Sequence, residues 1–406
     1  MTFLTLNGNG IHMHVDNAKL HIKDGRFSTT EEPKEYVFSP KQIDIDSVVI
    51  YGASGNISIE AIRWLVKHGL QIVILNWNGK LLTTMLPHES VQVKTKFAQY
   101  RAFDNPKKRL ELAQKFIEAK LAGTQEVLEY LNQRYPDIDT ELPVQVDQLD
   151  TARDIREVMG IEGVVAAFYW QEIQKAIPDK LEFTSRAIGR TNRPMGASDW
   201  VNCMLNYGYS LLEAECVRAI NSVGLDAHIG FLHEAHIGKN SLAYDMQEPF
   251  RFLIDLAVID LIENDKMEKK DFVRTESFTL RLRASGAQKV TQSVNTWLEK
   301  INNYQEKEIS YSYLILLKTR DLAHFLTGKK LNFTLITSKL TVKRQDTDDV
   351  RRKILNVSYA DWCKKGFSKG TLHYMKKNAE GNKPFTLNKH VRERLDQWGG
   401  TSNKVH

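Results

Sequence analysis

The chain has 406 residues, 42% of them hydrophobic and 26% charged, with a net charge of +6. Such a composition excludes a disordered or low-complexity protein and leaves room for two or three domains, each with its own core. Cys203, Cys216 and Cys363 are widely spaced with no C-x-x-C pair, which excludes a disulfide framework or a structural zinc site; they read as buried thiols in a reducing compartment.

No window approaches the ~18 uninterrupted apolar residues of a membrane span, and the first residues lack the basic and apolar regions of a secretory leader. A cytoplasmic protein without membrane contact is expected. The charge is uneven: from Lys330 onward there are 17 Lys and Arg against 7 Asp and Glu, leaving the preceding residues at −4 of the total +6. A basic tail on a slightly acidic body points to a polyanion partner, against the plainer reading of a solvated lysine-rich surface.

Residues 1–86 read as a β-rich module. Lys19-Leu20-His21-Ile22-Lys23 and Ile43-Asp44-Ile45 alternate, and Asn7-Gly8, Asn9-Gly10, Asp24-Gly25 and Asn78-Gly79 are dipeptides that supply positive φ for tight hairpins. One helix is expected inside the module, with Ile59, Ile62, Leu65 and Val66 on its apolar face, Ser58 as N-cap and Gly69 just past its end. It feeds a buried-strand candidate, Leu70 to Leu75. Gly52-Ala53-Ser54-Gly55 lacks the spacing of a phosphate-binding loop, so the module is assigned dimerisation or packing.

Pro87-His88-Glu89-Ser90 reads as a connection, and residues 91–329 as a helical domain. Arg109–Ile117 and Gln125–Leu131 carry apolar residues at three- and four-residue steps. A further helix is expected from Thr151 to Lys175, with Ile155, Val158, Met159, Ala166 and Tyr169 on its apolar stripe. Glu162 falls on that stripe, so a helix burying this face buries a carboxylate too. The alternatives for Glu162 are an edge position or an internal ion pair with an arginine such as Arg186 or Arg190.

Ser198 to Val223 is the most apolar helix candidate, started by Ser198-Asp199 and ended by Gly224, with Asn202, Asn206, Tyr207, Ser210, Glu213 and Glu215 as its polar residues. Gly230 to Arg251 then places His233, Asp245 and Glu248 among largely apolar or small residues, a costly setting for ionisable groups unless something pairs with them. Asp245 and Glu248 are three apart and share a face if both are helical, with Pro249 tolerable only in a first turn. Residues 272–329 offer Arg274, Arg281, Arg283 and Lys289, which could line a groove for phosphates but individually read as ordinary surface charge, and an amphipathic segment from Tyr311 to Leu326.

Residues 331–406 hold a second pattern. Ser358 can cap Tyr359–Lys365, Gly366 can end that helix in a left-handed turn, and Ser368 can cap Lys369–Asn378. Gly366, Leu372 and Met375 have the spacing of a helix-turn-helix, although Trp362 stands where a small residue is usual. Lys369, Thr371, His373, Tyr374, Lys376 and Lys377 would then be available for DNA. The alternative is a small capping bundle with a basic surface.

His233-Glu234-Ala235-His236 is not the zinc-protease signature, whose histidines are four apart. One imidazole with carboxylates suits Mg2+ or Mn2+, and such sets commonly act on phosphate esters.

Ile161-Glu162-Gly163, Asn202-Cys203-Met204-Leu205-Asn206-Tyr207-Gly208-Tyr209-Ser210-Leu211-Leu212, Gly224-Leu225-Asp226, Gly230-Phe231-Leu232-His233 and Asp245-Met246-Gln247-Glu248-Pro249-Phe250-Arg251, in that order, resemble the CRISPR-associated integrase family, the first of the Cas proteins. The resemblance covers residues 1 to about 329. It implies an N-terminal β-rich domain that dimerises and a mainly α-helical catalytic domain; with the basic helix-turn-helix-like domain read at 331–406, an α+β protein is expected. The resemblance implies a metal site of Glu162, His233 and Glu248, with Asp245 close by as a further catalytic acid; many relatives have aspartate at the position of Glu248. His236 and Lys239 lie where related proteins place polar contacts to DNA, and Asn202 and Tyr209 are assigned to the DNA side as well.

The implied reaction is attack by a donor DNA 3′-hydroxyl on a target phosphodiester, without a nucleotide cofactor. The implied partners are double-stranded DNA as donor ends and target, and a homodimer that can form a tetramer on DNA. The family has two occupations. One is spacer acquisition with a second small Cas protein. The other is that of the casposases, transposases with an appended helix-turn-helix, towards which the basic addition at 331–406 leans. A non-enzymatic helix-turn-helix regulator and a nuclease without strand transfer are the competing expectations.

Overall fold

A computed structural model describes residues 2–26, 32–76, 78–87, 92–144, 147–183, 185–186, 197–236, 238–275, 279–305, 307–337, 351, 354–364, 366 and 368–380. Six strands open the chain: β1 (Phe3–Asp16), β2 (Lys19–Lys23), β3 (Glu35–Phe38), β4 (Ser47–Ile57), β5 (Gln71–Leu75) and β6 (Leu81–Met85), with α1 (Ile59–Lys67) between β4 and β5. They form one sheet in the order β3-β2-β1-β4-β5-β6, parallel at β1/β4 and β4/β5 and antiparallel elsewhere.

Asn7-Gly8 and Asn9-Gly10 do not make the hairpins expected of them. β1 runs on through both glycines, which take φ of +82° as irregularities in the β1/β4 ladder. The turn from β1 to β2 is made instead by Asn17 and Ala18, at φ of 48° and 63°. Asn78-Gly79 does form a turn, closed by Asn76 N to Lys80 O at 2.7 Å. Asp24 accepts from the backbone of Asn7 at 2.6 Å and Gly25 at 2.8 Å, tying that loop back to β1.

α1 starts where expected, with the Ser58 side chain accepting from Ala61 N, but the face it buries is Ala61, Trp64 and Leu65. Ile59 points outward at 64% exposure, so the apolar stripe is rotated from the sequence-based one. These residues pack with Leu6, Ile11, Met13, Leu20, Ile22, Val48 and Ile72 into the core of the sheet. At ~1.5–3 kcal/mol for each large apolar side chain removed from water, this cluster is the main stabilisation of the region.

Helices follow: α2 (Val93–Asp104), α3 (Pro106–Asn132), α4 (Asp147–Thr151), α5 (Ile155–Gln174), α6 (Trp200–Ser222), α7 (Ser241–Gln247) and α8 (Arg251–Glu263). The segments Arg109–Ile117 and Gln125–Leu131 belong to the single long α3, begun by Asn105 as N-cap and Pro106 at its first turn. The helix expected from roughly Thr151 to Lys175 is α5, which starts four residues later because the Asp154 carboxylate caps it at Glu157 N, 2.9 Å. α6 is buried along most of its length and packs on α7 and α8.

The remainder of this unit is β7 (Phe272–Arg274), β8 (Leu280–Leu282), α9 (Ala284–Leu298), β9 (Ile301–Tyr304), β10 (Lys307–Ser310) and α10 (Tyr311–Leu326). The sheet is locked to the helices: Thr5 meets Thr291 at 2.7 Å, Tyr207 reaches both hydroxyls, and Asn295 brackets the backbone of Phe3. Residues 331–337 stay with this body. Phe333 and Leu335 are buried, and the buried Lys318 ammonium donates to Thr334 O (2.9 Å) and Ile336 O (2.6 Å). The first compact unit is Met1–Lys339.

In the second unit, Leu340–His406, α11 (Tyr359–Lys364) and α12 (Lys369–Glu380) are joined through Gly366 at φ 83°. Its core is Ile354, Val357, Trp362, Leu372, Met375 and Ala379. Trp362, in the place usual for a small residue, is the fully buried centre, and its indole N–H donates to Ser368 O at 2.9 Å. Cys203 and Cys216 are buried, but Cys363 is exposed, against expectation, because it lies on the side of α11 away from this core. No helix among the described residues is long and apolar enough to cross a membrane.

Candidate metal centre

The loop before α7 wraps around one carboxylate. Asp245, fully buried on α7, accepts from the backbone N–H groups of Phe231 (2.5 Å), Leu232 (3.0 Å) and His233 (3.0 Å). Gly230 makes the wrap possible, since a Cβ there would stand 2.7 Å from the Ser241 backbone and 2.8 Å from Asp245 Oδ2.

The same carboxylate accepts from His233 Nδ1 at 2.8 Å. That bond sets the tautomer: the Nδ1 proton is committed to Asp245, and Nε2 of the neutral ring keeps its lone pair. Burial alone would push the imidazole pKa down, but Asp245, with Glu248 nearby, outweighs it and raises the pKa above the ordinary histidine value.

Glu248 arrives from the 3₁₀ turn Glu248–Phe250 that joins α7 to α8, where Pro249 sits at a helical start. Glu162 arrives from α5. Between them stands Lys120 of α3, whose ammonium pairs with Glu162 Oε1 and lies 2.7 Å from Glu248 Oε2. Arg251 donates to the other Glu248 oxygen at 3.1 Å. Burial would raise the Glu248 pKa, but Lys120 and Arg251 more than compensate and hold it at about 2. Glu248 Oε2 is buried and makes no well-directed hydrogen bond among the described residues, and it is ion-paired with Lys120.

Glu162, His233, Glu248 and Lys120 line one cavity of about 260 Å³. Its far wall is a second cluster, in which the buried Asp255 accepts from Tyr169 (2.7 Å) and from Tyr209. Arg251 lies 4.3 Å and Arg186 5.2 Å from the Tyr209 ring, and Arg186 donates to Asn202 (2.7 Å) and Asn206 (3.0 Å). Burial raises the Asp255 pKa, only partly offset by the two hydroxyls.

Among the described residues no three acids, imidazoles or thiols stand converged as a metal shell; the cation between the two glutamates is Lys120. The donor chemistry nonetheless fits a hard divalent ion. Two carboxylates, one with a buried oxygen lacking a well-directed hydrogen bond, share a cavity wall with an imidazole whose other nitrogen is fixed by a carboxylate.

A sequence profile of the family described as CRISPR associated protein Cas1 matches residues 11–296. The chain belongs to this family. CRISPR-associated endonuclease Cas1 1 of Archaeoglobus fulgidus is 30% identical over 348 residues, covering 80% of this Cas1-family chain and 97% of its own length. A solved structure described as a casposase bound to integration product is 55% identical with a TM-score of 0.81, covering 88% of this chain and 100% of that one. A CAS1 protein from Thermotoga maritima, 19% identical with a TM-score of 0.62 over 84% of this chain and 99% of that one, shares the fold.

Within this Cas1-family chain the residues singled out from sequence land in different places. Glu162, His233 and Glu248 meet at the cavity, whereas Asp245 lies behind the imidazole with both oxygens engaged. The ion pair foreseen for Glu162 exists, but with Lys120; Arg186 serves Asn202 and Asn206, and Arg190 lies outside the described residues. Met159, expected on a buried stripe, is 39% exposed, because the stripe of α5 faces the cavity rather than a closed core.

Asn202 is half-buried and Tyr209 buried. Asn202 holds Ser185 O, Asp199 and Arg186, and Tyr209 is buried on Asp255. His236 and Lys239 are exposed on the loop after His233. In the second unit Lys369, Thr371, His373 and Lys377 are exposed, while Lys376 is half-buried and donates to Leu355 O at 2.8 Å. Lys120, Arg251 and Asp255 were not anticipated. Lys120 carried the same signal as Glu162: it stands four after Phe116 and four before Thr124, on the buried stripe of α3.

Proposed function

We propose that this chain is a metal-dependent DNA strand-transferase. In this reading a donor 3′-hydroxyl attacks a target phosphodiester, so that one ester bond to phosphorus forms as another breaks, and the proton of the attacking hydroxyl is balanced on the departing 3′-oxygen. No nucleotide cofactor is consumed. The observation that carries the reading is the meeting of Glu162, His233 and Glu248 on one cavity wall, with Asp245 locking the imidazole.

Glu162, Glu248 Oε2 and His233 Nε2 would hold Mg2+ or Mn2+. Bound there, the ion would polarise the phosphoryl group and stabilise the attacking and leaving oxygens. Asp245 keeps the Nε2 lone pair aimed outward, and Arg251 fixes the Glu248 carboxylate by its other oxygen.

Double-stranded DNA is the proposed partner, as donor ends and as target. Exposed His236 and Lys239 beside the site, and Lys369, Thr371, His373 and Lys377 on the second unit, supply phosphate-directed donors that fix register without reading bases. The 55% identical casposase captured with an integration product favours casposon transposition over spacer acquisition with a second small Cas protein. We assign residues 1–86 to homodimerisation, with a tetramer on DNA, and residues 91–329 to catalysis; the protein works in the cytoplasm.

Incubation with Mn2+, supercoiled plasmid and a short duplex with free 3′-hydroxyls should give a covalently joined product, lost when the donor 3′ end is blocked. Undiminished joining by Glu162→Ala sinks the assignment. Cleavage without joining would favour a nuclease, and neither reaction under any metal a DNA-binding regulator.

A further inference from the structure

We infer that Lys120 is a resident counter-cation of the metal site. Its ammonium gathers the Glu162 and Glu248 carboxylates in the metal-free protein and leaves the space between them when a divalent ion binds, turning towards the substrate phosphate. This rests on the metal-site reading above and assigns a positioning residue to it.

Glu162 and Glu248 come from separate elements, α5 and the 3₁₀ turn, and Glu248 is almost wholly buried. Like charges brought together in such surroundings repel unless a cation stands between them. Lys120 is that cation, in contact with both. Glu248 has a second partner in Arg251, but among the contacts of the described residues Glu162 is paired only with Lys120.

A divalent ion taking both carboxylates must stand where the ammonium now is. Two cations sharing that place would repel, so the ammonium has to withdraw. Arg251 is unsuited to withdrawing, with its guanidinium against the Tyr209 ring and on the Glu248 oxygen that Lys120 does not touch. Lys120 is suited to it. Its side chain is 20% exposed, it hangs on a four-carbon stem, and the cavity of about 260 Å³ lies beside it. A cation displaced into that cavity faces whatever polyanion occupies it.

The test is Mn2+ binding by the full-length chain, titrated without DNA and read by the electron paramagnetic resonance of free Mn2+. Lys120→Met removes the competitor, so its Kd for Mn2+ should fall about tenfold or more, the usual reach of one unit charge at this distance. Its metal-free melting temperature should drop below wild type, and Mn2+ should restore it. Strand transfer should decline despite the tighter metal, because the phosphate-facing charge is gone. Lys120→Gln, which keeps a hydrogen-bond donor, should show the same tighter binding and covers the case in which the methionine variant fails to fold.

Mn2+ affinity equal to or weaker than wild type in both variants overturns the assignment of Lys120. Failure of the metal-site reading itself looks different: wild type would bind no Mn2+, or would bind it equally well after Glu162→Ala.

Discussion

Replacing Asp245 by asparagine keeps the shape of the side chain and removes one acceptor. The wild-type carboxylate receives four hydrogen bonds, from three backbone N–H groups and from His233 Nδ1. An amide nitrogen at Oδ2 would confront the N–H groups of Phe231 and Leu232, orphaning two buried donors. At Oδ1 it would orphan only the His233 N–H, provided the imidazole moves its proton to Nε2 so that Nδ1 can accept. The second arrangement is the cheaper. One orphaned buried donor costs ~1–3 kcal/mol, and loss of charge from the remaining bonds about 1 kcal/mol more, so ~2–4 kcal/mol of destabilisation is expected in urea denaturation.

The functional consequence is larger, because a protonated Nε2 has no lone pair to offer. Mn2+ affinity should fall by ~10–100-fold, with strand transfer falling alongside. The metal-free wild type should also lose stability as pH rises through the raised pKa of His233, since the stabilisation of the imidazolium is complete only below the unfolded value of 6.5. That slope should be absent from Asp245→Asn. A variant that is destabilised as expected yet binds Mn2+ and joins DNA like wild type would refute the claim that Asp245 sets the tautomer.

Three further outcomes are expected. Burial pushes Glu213 up to about 7 although Asn240 donates to it at 3.0 Å, so wild-type stability should fall as pH rises from 4.5 to 7. Glu213→Gln should gain up to ~3 kcal/mol at pH 8 and nothing at pH 5, and equal effects at both pH values contradict this. Lys318→Met leaves Thr334 O and Ile336 O without their donor, costing ~2–6 kcal/mol locally; limited proteolysis within 331–337 should quicken, and an unchanged rate would show that the ammonium does not hold this segment. Trp362→Ala should remove ~3–5 kcal/mol from the second unit, seen as lost hydrogen-exchange protection over 354–380 with Mn2+ affinity intact, and retained protection would mean the indole is not its centre.

Much of this protein was legible from local pattern. Glu162 on an apolar period, the three-residue step from Asp245 to Glu248, Ser58 and Asp199 as caps, and the spacing of Gly366, Leu372 and Met375 all lie within a few helical turns. There the period of the chain determines which side chains share a face. Even the cost of half-burying Glu162 could be read, though not what answers it.

The answers came from far along the chain, and only tertiary packing decided them. Lys120 reaches Glu162 across 42 positions, and the two tyrosines reach Asp255 across 86 and 46. Both Asp245 oxygens are engaged because the loop from Gly230 folds around them. At Gly8 and Gly10 the turn propensity was real, but a hairpin there would have broken the long parallel ladder to β4, and the ladder prevailed as a pair of bulges. Local sequence sets which charges must be buried; the neighbours that neutralise them are chosen by the fold, because charge pairing depends on distance in space and not along the chain.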